Sequence, residues 1–580
     1  MSNKKGITKK LVNSPDTCVD DNLRGLVDMY PRLRLHPRFR VVTLQNQDGD
    51  GKVAIIGGGG SGHEPFAAGM VGNGMLHGGV AGGVFASPPA AHVLYAIAQL
   101  YNHYKGGVLV IIGNYTGDRL NFGKAIEKAK IAGVKVDGII VGEDVASSKN
   151  KTGGRGMCGE VFLYKLCGAM STEGVAFDDI RSMANEITKN IATLGVCLSA
   201  CSLPGQRPLF KILPDEMELG AGVHGEAGIK KMKLGTAAEV VSVILDELTE
   251  HLKLNEKDRV AVLINNLGGT SILEMNILSG EVKKYLKNKR IKAERIYSGH
   301  LKSSLEMHGF QICLLHLNTK FGNHWLKLLD MPTDAPAWPG TMLSFNDDQD
   351  NAGPDGCFPI KSTTNGSNLG PKLSSENTQI LRNCLQHATS KLIDNEEMLN
   401  RLDSGCGDGD CGITLKKFAS AIQKYTKQAT LEYPSSVLYD MSEIAEKDMG
   451  GTSGGIYSLG LAAASQAFAD KKTIDINSWI CALEQAIQAI SKYGGAEPGD
   501  RTMLDSLIPA LQALKDNTNS NWNTLLENTS MAAQQGAKST AKMIAKAGRA
   551  SYVAVDYATE QDAGAFAVAL WLAAIIEQLK

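Results

Sequence analysis

Residues 52–66 read KVAIIGGGGSGHEPF, and this stretch decides what kind of α/β protein the chain forms. Its apolar run, Val53–Ile56, predicts a buried strand that leads into a glycine-rich turn. Gly57, Gly59 and Gly62 have the G-x-G-x-x-G spacing of a dinucleotide-binding loop. The stretch therefore predicts either a nicotinamide enzyme or a backbone that closely approaches a smaller ligand.

The residues that follow the glycines argue against a dinucleotide. A dinucleotide fold places an acidic residue about 20 positions further on, where it binds the ribose. No Asp or Glu occurs between Glu64 and Asp118. Pro65 fits a helix start better than a phosphate-binding turn. We therefore favour the smaller ligand, with a tight strand-to-helix turn as the alternative.

Length and composition limit the class of protein. A chain of 580 residues predicts two or more domains, and 43% apolar residues can fill their cores. Nothing in the net charge of -1 suggests a polyanionic partner such as nucleic acid or an acidic membrane face. The 11 cysteines form no C-x-x-C pair, which argues against a disulfide framework or a zinc site.

Neither end of the chain resembles a membrane or secretion signal. The first residues are polar, without the apolar core of a secretory signal. The apolar tract Ala563–Ile576 is shorter than the roughly 20 residues that span a bilayer. We expect a soluble cytoplasmic protein with small-molecule partners, no nucleic acid and no membrane.

The chain changes character near residue 335. Before it, short β-branched runs alternate with helical lengths, which predicts an α/β domain over residues 1–335. Residues 336–376 are rich in Pro, Gly, Ser and Asn and predict a linker. Residues 377–580 show helical spacing and few strand signals, so this domain is predicted to be nearly all helix.

Two stretches of the α/β part carry candidate chemistry. NYTGD, residues 114–118, follows a predicted strand, so Asp118 is either a general base at the sheet edge or the N-cap of the next helix. In GAGVHGEAG, residues 220–228, small neighbours leave His224 open to a ligand. A neutral imidazole can attack a carbonyl carbon, although His224 could also lie in a simple surface turn.

The helical part contains a cluster of acidic residues. Asp403, Asp408 and Asp410 lie within eight residues among glycines. Carboxylates about 4 Å apart repel by roughly 4 kcal/mol at an effective dielectric constant near 20, and a divalent cation removes that penalty. Oxygen-only ligands select a hard ion such as Mg²⁺, with a solvated acidic turn as the alternative.

Two further glycine turns of this part open helices. Thr452 and Ser453 stand where backbone amides suit phosphate oxygens. Arg501 and Thr502 stand at the other turn, beside Asp500, which is equally suited to cap the helix. Together with the aspartates they predict a nucleotide site.

Seven motifs closely resemble the ATP-dependent dihydroxyacetone kinases, also called glycerone kinases or triokinases. They are GGGGSGHEP, NYTGDRLNF, GAGVHGEAG, INNLGGTS, GDGDCG, MGGTSG and YGGAEPGDRTMLDSL. The resemblance covers nearly the whole chain outside the linker and the first residues. It implies a substrate domain of two α/β subdomains, an all-helical barrel that binds ATP, and a homodimer with domain-swapped active sites.

The resemblance also assigns roles to individual residues. His224 is expected to hold dihydroxyacetone or glyceraldehyde as a hemiaminal, Asp118 to act as base, and His63 to hydrogen-bond the substrate. Gly60, Ser61 and Gly62 complete the predicted substrate loop. Two magnesium ions are expected on Asp403, Asp408 and Asp410. The implied nucleotide contacts are Asp408, Gly409, Asp410, Cys411, Thr452, Ser453, Tyr493, Arg501, Thr502, Asp562, Ala563 and Gly564.

Two departures and two other functions accompany this resemblance. Many relatives carry a lysine at the position of Gly113 and a proline at that of Ala563, so we expect a lost or replaced substrate contact and an altered nucleotide lid. Some animal members also cleave FAD to AMP and cyclic FMN with Mn²⁺. Other members of the family are non-catalytic regulators. This chain retains His224, Asp118 and the three aspartates, which argues against a regulatory role.

Overall fold

The computed structural model describes residues 7–47, 49–149, 151–226, 228–340, 370–405, 407–468, 471–547, 551 and 560–580. The chain divides into two compact units, Met1–Gly353 and Pro354–Lys580. Most of the predicted linker, residues 341–369, lies outside the described residues. The boundaries 1–335, 336–376 and 377–580 therefore stay predictions.

The first unit alternates strands with helices, as its sequence predicts. Its strands are β1 (Leu33–His36), β2 (Val41–Leu44), β3 (Val53–Ser61), β4 (Gly78–Val84), β5 (Gly107–Gly113), β6 (Val136–Val141), β7 (Ile191–Cys197), β8 (Glu216–Leu219), β9 (Lys230–Lys233), β10 (Arg259–Asn266), β11 (Lys292–Gly299) and β12 (Gly309–His316). Its helices are α1 (Cys18–Met29), α2 (Ala90–His103), α3 (Thr116–Ile131), α4 (Glu160–Thr172), α5 (Phe177–Thr188), α6 (Ala237–His251), α7 (Ile272–Asn288) and α8 (Gly322–Asp330).

These strands form two six-stranded sheets, which confirms the prediction of two α/β subdomains. The first sheet has the order β1-β2-β4-β3-β5-β6, and its last four strands are parallel. The second sheet has the order β11-β10-β12-β7-β8-β9, in which only β10 and β11 pair in parallel. The carboxyl ends of β4, β3, β5 and β6 consequently share one edge of the first sheet.

Both faces of the first sheet are buried. Ile55 and Leu109 belong to a core that also contains residues of the second sheet, whereas Ile56 and Val108 belong to a core under α2 and α3. This division follows the two-residue period of strand side chains. Strands that are covered on both faces read as continuous apolar runs, which is why the sequence reveals them so clearly.

The glycines at positions 57–60 lie inside β3, so the predicted glycine-rich turn is wrong for them, and only Gly62, with φ +92°, follows the strand. A Cβ at position 57 would lie 2.7 Å from the Tyr164 ring, and one at position 60 would lie 2.8 Å from the Ala86 nitrogen. The glycines are therefore required by close packing along a strand. The first helical segment after them is a three-residue turn, Ala68–Met70, so Pro65 does not begin an α-helix. A dinucleotide loop at a helix N-terminus is absent from this described segment, which rules out the nicotinamide interpretation.

The second unit is helical throughout its described residues. Its helices are α9 (Ser375–Asp394), α10 (Glu396–Ser404), α11 (Cys411–Gln428), α12 (Pro434–Ile444), α13 (Gly451–Gln466), α14 (Ile476–Gly494), α15 (Leu504–Asp516), α16 (Trp522–Ser539) and α17 (Ala563–Glu577). Each helix from α11 to α17 contacts the next, and α9 contacts both α11 and α17. The helices thus close into a ring, as the expected barrel requires. Among the described helices, none has the length and apolar character needed to cross a membrane.

Candidate functional site

The candidate substrate residues of the first unit follow the ends of neighbouring strands. His63 comes two residues after β3, and Asp118 comes five residues after β5. His224 lies in the loop between β8 and β9 of the second sheet. These three side chains line one small cavity with an empty volume of about 230 Å³. The structure therefore brings together all three residues that were predicted to be catalytic.

His63 is a buried, neutral hydrogen-bond acceptor. Its side chain is almost fully enclosed, with 1% of its surface exposed. Its Nδ1 lies 2.9 Å from the Ser303 carbonyl oxygen, and because a carbonyl can only accept, Nδ1 carries the proton. Burial, and after it the electrostatic interactions with the His224 ring and Lys302, hold the pKa of His63 well below its usual value. Its Nε2 is buried and has no protein partner, which leaves an acceptor for a bound ligand.

Asp118 is a buried carboxylate on the first turn of α3. The N-cap of this helix is Tyr115, and Asp118 lies three residues inside, so the N-cap alternative is wrong. Asp118 is 6% exposed, and its Oδ1 has no protein partner. Burial raises the pKa of Asp118, while a hydrogen bond from Ser87 and the charges of Lys302 and His224 oppose the rise. A carboxylate with a raised pKa is suited to accept a proton.

His224 is oriented by a carboxylate two residues further on. Its Nδ1 lies 3.3 Å from Glu226 Oε1, and its backbone nitrogen donates to Glu226 Oε2 at 3.0 Å. Burial opposes ionisation of Glu226, but the His224 hydrogen bond and charge prevail and lower the pKa of Glu226 to about 2. An ionised Glu226 that accepts from Nδ1–H leaves the Nε2 lone pair free to act as a nucleophile.

The His224 ring lies on the aromatic side of the cavity. Its centroid is 4.7 Å from that of His63 and 4.6 Å from that of Tyr115, with nearly perpendicular planes. Tyr115 donates its hydroxyl to the Gly156 carbonyl at 3.0 Å and keeps its ring toward His224. His224 thus lies in a turn with 22% of its side chain exposed while its ring lines the cavity, so its predicted role toward a ligand stays a prediction.

The predicted substrate loop contributes unequally to this cavity. Gly60 is among the lining residues. Ser61 donates its hydroxyl to the Gly82 carbonyl at 2.9 Å, and Gly62 donates its backbone nitrogen to the Glu64 carboxylate at 3.0 Å. Since both polar groups already have protein partners, the predicted substrate contacts of Ser61 and Gly62 stay predictions.

Sequence reasoning missed a group of buried charges in the same cavity. Lys302 and Glu160 line it, and Lys302 Nζ lies 2.8 Å from Glu160 Oε1. Burial raises the pKa of Glu160, although Lys302 opposes the rise. Glu143 lies behind them, and burial together with the charge of Glu160 raises its pKa to about 7. Lys302 follows β11 by three residues, and because the sequence analysis predicted no strand there, no strand end pointed to it.

The acidic cluster of the second unit forms as predicted. Asp403 lies in the last turn of α10, Asp408 lies in the following loop, and Asp410 is the N-cap residue of α11. Each offers an oxygen atom within 4.8 Å of the other two. Asp403 Oδ2 accepts from the backbone nitrogen of Asp410 at 3.1 Å, which holds the loop against the helix end. Gly409, with φ +74°, makes the turn between the two exposed aspartates possible.

The donor set of this cluster fits a hard divalent cation. All three donors are carboxylates, and two of the three side chains are exposed, which leaves room for water and phosphate ligands. Asp403, Asp408 and Asp410 are thus the described residues that would hold Mg²⁺.

A second polar group of this unit joins two distant segments. Arg501 is 3% exposed, has φ +63°, and donates Nη2 to the Glu560 carbonyl at 2.9 Å, while its buried Nε has no protein partner. Asp562 caps α17 by accepting from the Ala565 nitrogen at 2.8 Å. Burial raises the pKa of Asp562 to about 6, with the Arg501 charge opposing and the Asp505 and Asp403 charges adding to the rise.

The remaining predicted nucleotide contacts occupy helix ends. Thr452 and Ser453 lie in the first turn of α13, which has no side-chain cap. Tyr493 lies in the last turn of α14 with 70% of its surface exposed. Ala563 begins the capped helix α17, so the change from proline leaves a regular helix start there. The helix α15 begins after Met503, so Asp500 is not its cap.

Two remaining positions adjoin these groups. A Cβ added to Gly564 would lie 3.6 Å from Met503 Cβ, which brings the 562–564 segment beside the turn that contains Arg501 and Thr502. Cys411 is the first residue of α11, directly after the acidic loop. Burial raises the pKa of its thiol to about 12, and the charges of nearby aspartates add to the rise. Cys411 is therefore a packed thiol at the edge of the acidic cluster.

Comparison with protein families assigns both units. The Dak1 domain matches residues 24–337, and the DAK2 domain matches residues 405–577. The first match covers the two sheets and the cavity with His224, Asp118 and His63. The second covers Asp408 and Asp410 of the acidic cluster and the helices from α11 to α17, and it begins two residues after Asp403.

Full-length relatives match both units together. The chain is 39% identical to the human triokinase/FMN cyclase over 99% of this chain and 100% of that protein. It is 38% identical to the triokinase/FMN cyclase of Rattus norvegicus over 99% of each chain. A crystal structure of the dihydroxyacetone kinase from C. freundii in complex with AMP-PNP and Mg²⁺ matches with a TM-score of 0.65 and 31% identity, over 98% of this chain and 99% of that one.

Proposed function

This chain belongs to the dihydroxyacetone kinase family, and from that premise we propose that it transfers the γ-phosphate of ATP to dihydroxyacetone and glyceraldehyde. One observation supports this proposal most strongly. A single cavity holds an oriented imidazole, His224, together with two buried acceptor atoms that have no protein partner, His63 Nε2 and Asp118 Oδ1. These are the groups needed to hold a hydroxyketone and to remove a proton from its hydroxyl.

His224 holds the substrate by a covalent bond in this proposal. Its Nε2 forms a bond to the carbonyl carbon, the C=O electron pair moves to the oxygen, and that oxygen takes a proton from solvent. Glu226, which accepts from Nδ1–H, balances the positive charge on the ring. The unpartnered Nε2 of His63 accepts a hydrogen bond from a hydroxyl of the resulting hemiaminal. Glycerol has no carbonyl and cannot form this bond.

Asp118 removes the proton from the substrate hydroxyl that attacks phosphorus. As the oxygen bonds to the γ-phosphorus, the bond to the β-phosphate oxygen breaks and ADP leaves. The proton passes to Oδ1 of Asp118, which has no protein partner that competes for it. Because the tether fixes the acceptor, most of the rate enhancement comes from positioning and charge stabilisation.

The second unit supplies the nucleotide groups. Asp403, Asp408 and Asp410 would hold two Mg²⁺ ions, which neutralise the charge on the phosphates. Arg501 has an unpartnered Nε that can donate to a phosphate oxygen. The first turn of α13 places the backbone amides of Thr452 and Ser453 at a helix N-terminus that no side chain caps.

The direct test combines the protein with ATP, Mg²⁺ and dihydroxyacetone. We expect ADP and a phosphorylated three-carbon product, identified by mass spectrometry, in equal amounts. ATP hydrolysis without a phosphorylated product, or no turnover of any hydroxyketone or hydroxyaldehyde, would contradict the proposed kinase activity.

We further propose a homodimer in which ATP on the second unit of one subunit serves the substrate cavity of the other. Family resemblance supports this arrangement. The swapped arrangement can be tested with dimers that contain two different variant subunits, because the His224→Ala and Asp408→Asn changes lie in different units.

Each variant alone is expected to be nearly inactive, while an equal mixture allowed to exchange subunits should recover about a quarter of wild-type activity. Half of the dimers would then be mixed, and each mixed dimer would have one intact site. ADP release after co-expression or exchange measures this recovery. Activity that stays at the level of the single variants would exclude sites shared between subunits.

A second activity is suggested by the relatives named triokinase/FMN cyclase. We propose that the same nucleotide site cleaves FAD into AMP and cyclic FMN when Mn²⁺ replaces Mg²⁺. Incubation with FAD and Mn²⁺, followed by chromatography, is expected to yield both products. The Asp408→Asn variant should lose them, whereas His224→Ala should retain them because His224 lies in the other unit. Intact FAD after incubation with the wild-type protein would rule this activity out.

A further inference from the structure

Lys302 is a buried cation in the substrate cavity that the mechanism above does not use. Its side chain is 4% exposed, and Nζ donates to Glu160 Oε1 at 2.8 Å and to the Gly156 carbonyl at 3.1 Å. Nζ also lies 4.3 Å from the centroid of the Phe66 ring. An ammonium has three N–H bonds, so two are used by protein oxygens and the third remains for the ring face or a ligand.

The backbone holds Lys302 in a fixed place. Asn265, at the end of β10, accepts from the backbone nitrogens of Leu301 and Lys302 at 3.0 and 2.9 Å. The same side chain donates to the Lys302 carbonyl at 2.6 Å. A long side chain with a fixed backbone and a buried ion pair is pre-organised, as a substrate-binding group must be.

Of the described residues that line the cavity, Lys302 alone carries a permanent positive charge. Two carboxylates, Asp118 and Glu160, line it as well, together with the imidazoles of His63 and His224. A substrate with several hydroxyl oxygens entering this cavity meets one strong fixed donor, which is the Lys302 ammonium.

We propose that Lys302 is a substrate-positioning residue, whose ammonium hydrogen-bonds an oxygen of the three-carbon acceptor beside Asp118 and His224. This role rests on the proposed kinase function. It gives the cavity a donor that complements the two acceptors, His63 Nε2 and Asp118 Oδ1, both of which lack protein partners.

Gly113 offers a geometric check on this role. It ends β5 and lines the same cavity, and a Cβ added there would lie 2.6 Å from Glu160 Oε1. A lysine at position 113 would therefore approach the carboxylate that now pairs with Lys302. Glu160 is the end of a side chain and can shift once the Lys302 charge is removed.

The test measures steady-state kinetics for dihydroxyacetone and ATP separately. We expect Lys302→Met to lower kcat/KM for dihydroxyacetone about 10- to 100-fold, the loss typical of a hydrogen bond to a charged group, mainly through KM. The KM for ATP should stay unchanged. Lys302→Met with Gly113→Lys should regain at least about tenfold of this loss, because the ammonium returns to the same carboxylate.

Two further variants separate substrate binding from folding. Lys302→Met alone leaves the Glu160 charge buried without its partner, so the double variant Glu160→Gln/Lys302→Met keeps a neutral pair. It should still show the raised KM for dihydroxyacetone. Lys165 provides the matched control, since its buried Nζ donates to the Leu328 carbonyl at 2.7 Å outside the cavity lining. Lys165→Met should keep wild-type KM values.

Three results would overturn the role of Lys302. The first is wild-type kcat/KM in Lys302→Met, and the second is wild-type kcat/KM in Glu160→Gln/Lys302→Met, which would show that Lys302 only neutralises Glu160. The third is no recovery when Gly113→Lys is added. A wild-type protein that phosphorylates no three-carbon acceptor would instead overturn the proposed function, so the two failures are distinguishable.

Discussion

Replacing His224 by alanine is expected to lower kcat/KM for dihydroxyacetone by roughly a thousandfold or more, because the acceptor loses its covalent tether. Well-oriented intramolecular reactions gain effective molarities of about 10⁵ M and above, so even partial loss of such positioning costs several orders of magnitude. The loop itself should persist. Glu226 accepts from the backbone nitrogen of His224 at 3.0 Å, and alanine keeps that nitrogen. Initial rates of ADP release measure the effect.

The His224 prediction has a matched control in the same unit. His308 lies outside the cavity lining, and its Nε2 is 3.0 Å from Glu274 Oε1. His308→Ala should keep wild-type rates, and both variants should unfold within a few degrees of the wild-type protein. A His224→Ala protein that retains more than about a tenth of the wild-type kcat/KM would exclude an essential covalent tether.

Replacing Asp118 by asparagine is expected to lower kcat by roughly 10²- to 10⁴-fold, because an amide cannot accept the hydroxyl proton. The amide occupies nearly the same volume, and Asp118 Oδ1 has no protein partner to lose. KM for dihydroxyacetone should change little, since the tether and Lys302 remain. Single-turnover rates with saturating ATP separate this loss of chemistry from binding. Asp137→Asn, on β6 of the same sheet, removes a carboxylate bonded to Arg181 and should keep full activity.

The pH dependence of the wild-type enzyme follows from the raised pKa of Asp118. As the pH falls through this pKa, the base becomes protonated and kcat falls, so the acid limb lies at higher pH than for an ordinary aspartate. The stability effect has the opposite sign. Because the folded pKa exceeds the unfolded one, the contribution of Asp118 to stability declines as pH rises through these values.

The Asp118→Asn change should remove both the acid limb of kcat and the pH-dependent contribution of Asp118 to stability. The variant should therefore lack this acid limb, and its melting temperature at neutral pH should not fall below that of the wild-type protein. An Asp118→Asn protein with wild-type kcat would show that Asp118 is not the base.

The sequence predicted the parts of the fold that depend on local patterns. The continuous apolar runs at Val53–Ile56 and in β5 gave strands because both faces of the sheet are covered. The helical spacing of the second unit gave its helices. Asp118 was found because residues that follow a strand of an open α/β sheet lie at its ligand-binding edge, a rule that needs no tertiary information. His63 was identified only through the family resemblance.

Other features depend on contacts that the sequence does not display. The glycines of β3 were predicted to form a turn. Their actual role is close packing against Tyr164 and Ala86, and the sequence does not display this contact because these residues lie far away in the chain. Glu160 was missed because a carboxylate inside a helix usually faces solvent. Lys302 was missed because a lysine usually lies at the surface, and only the folded structure brings its ammonium 2.8 Å from Glu160.

The central claim is that this cavity selects acceptors through their carbonyl group, and a comparison of dihydroxyacetone with glycerol under identical conditions tests it most directly. The two molecules share their terminal hydroxyls and differ only at the central carbon. The covalent role of His224 predicts kcat/KM for dihydroxyacetone roughly a thousandfold or more above that for glycerol. Comparable kcat/KM values for the two acceptors would contradict it.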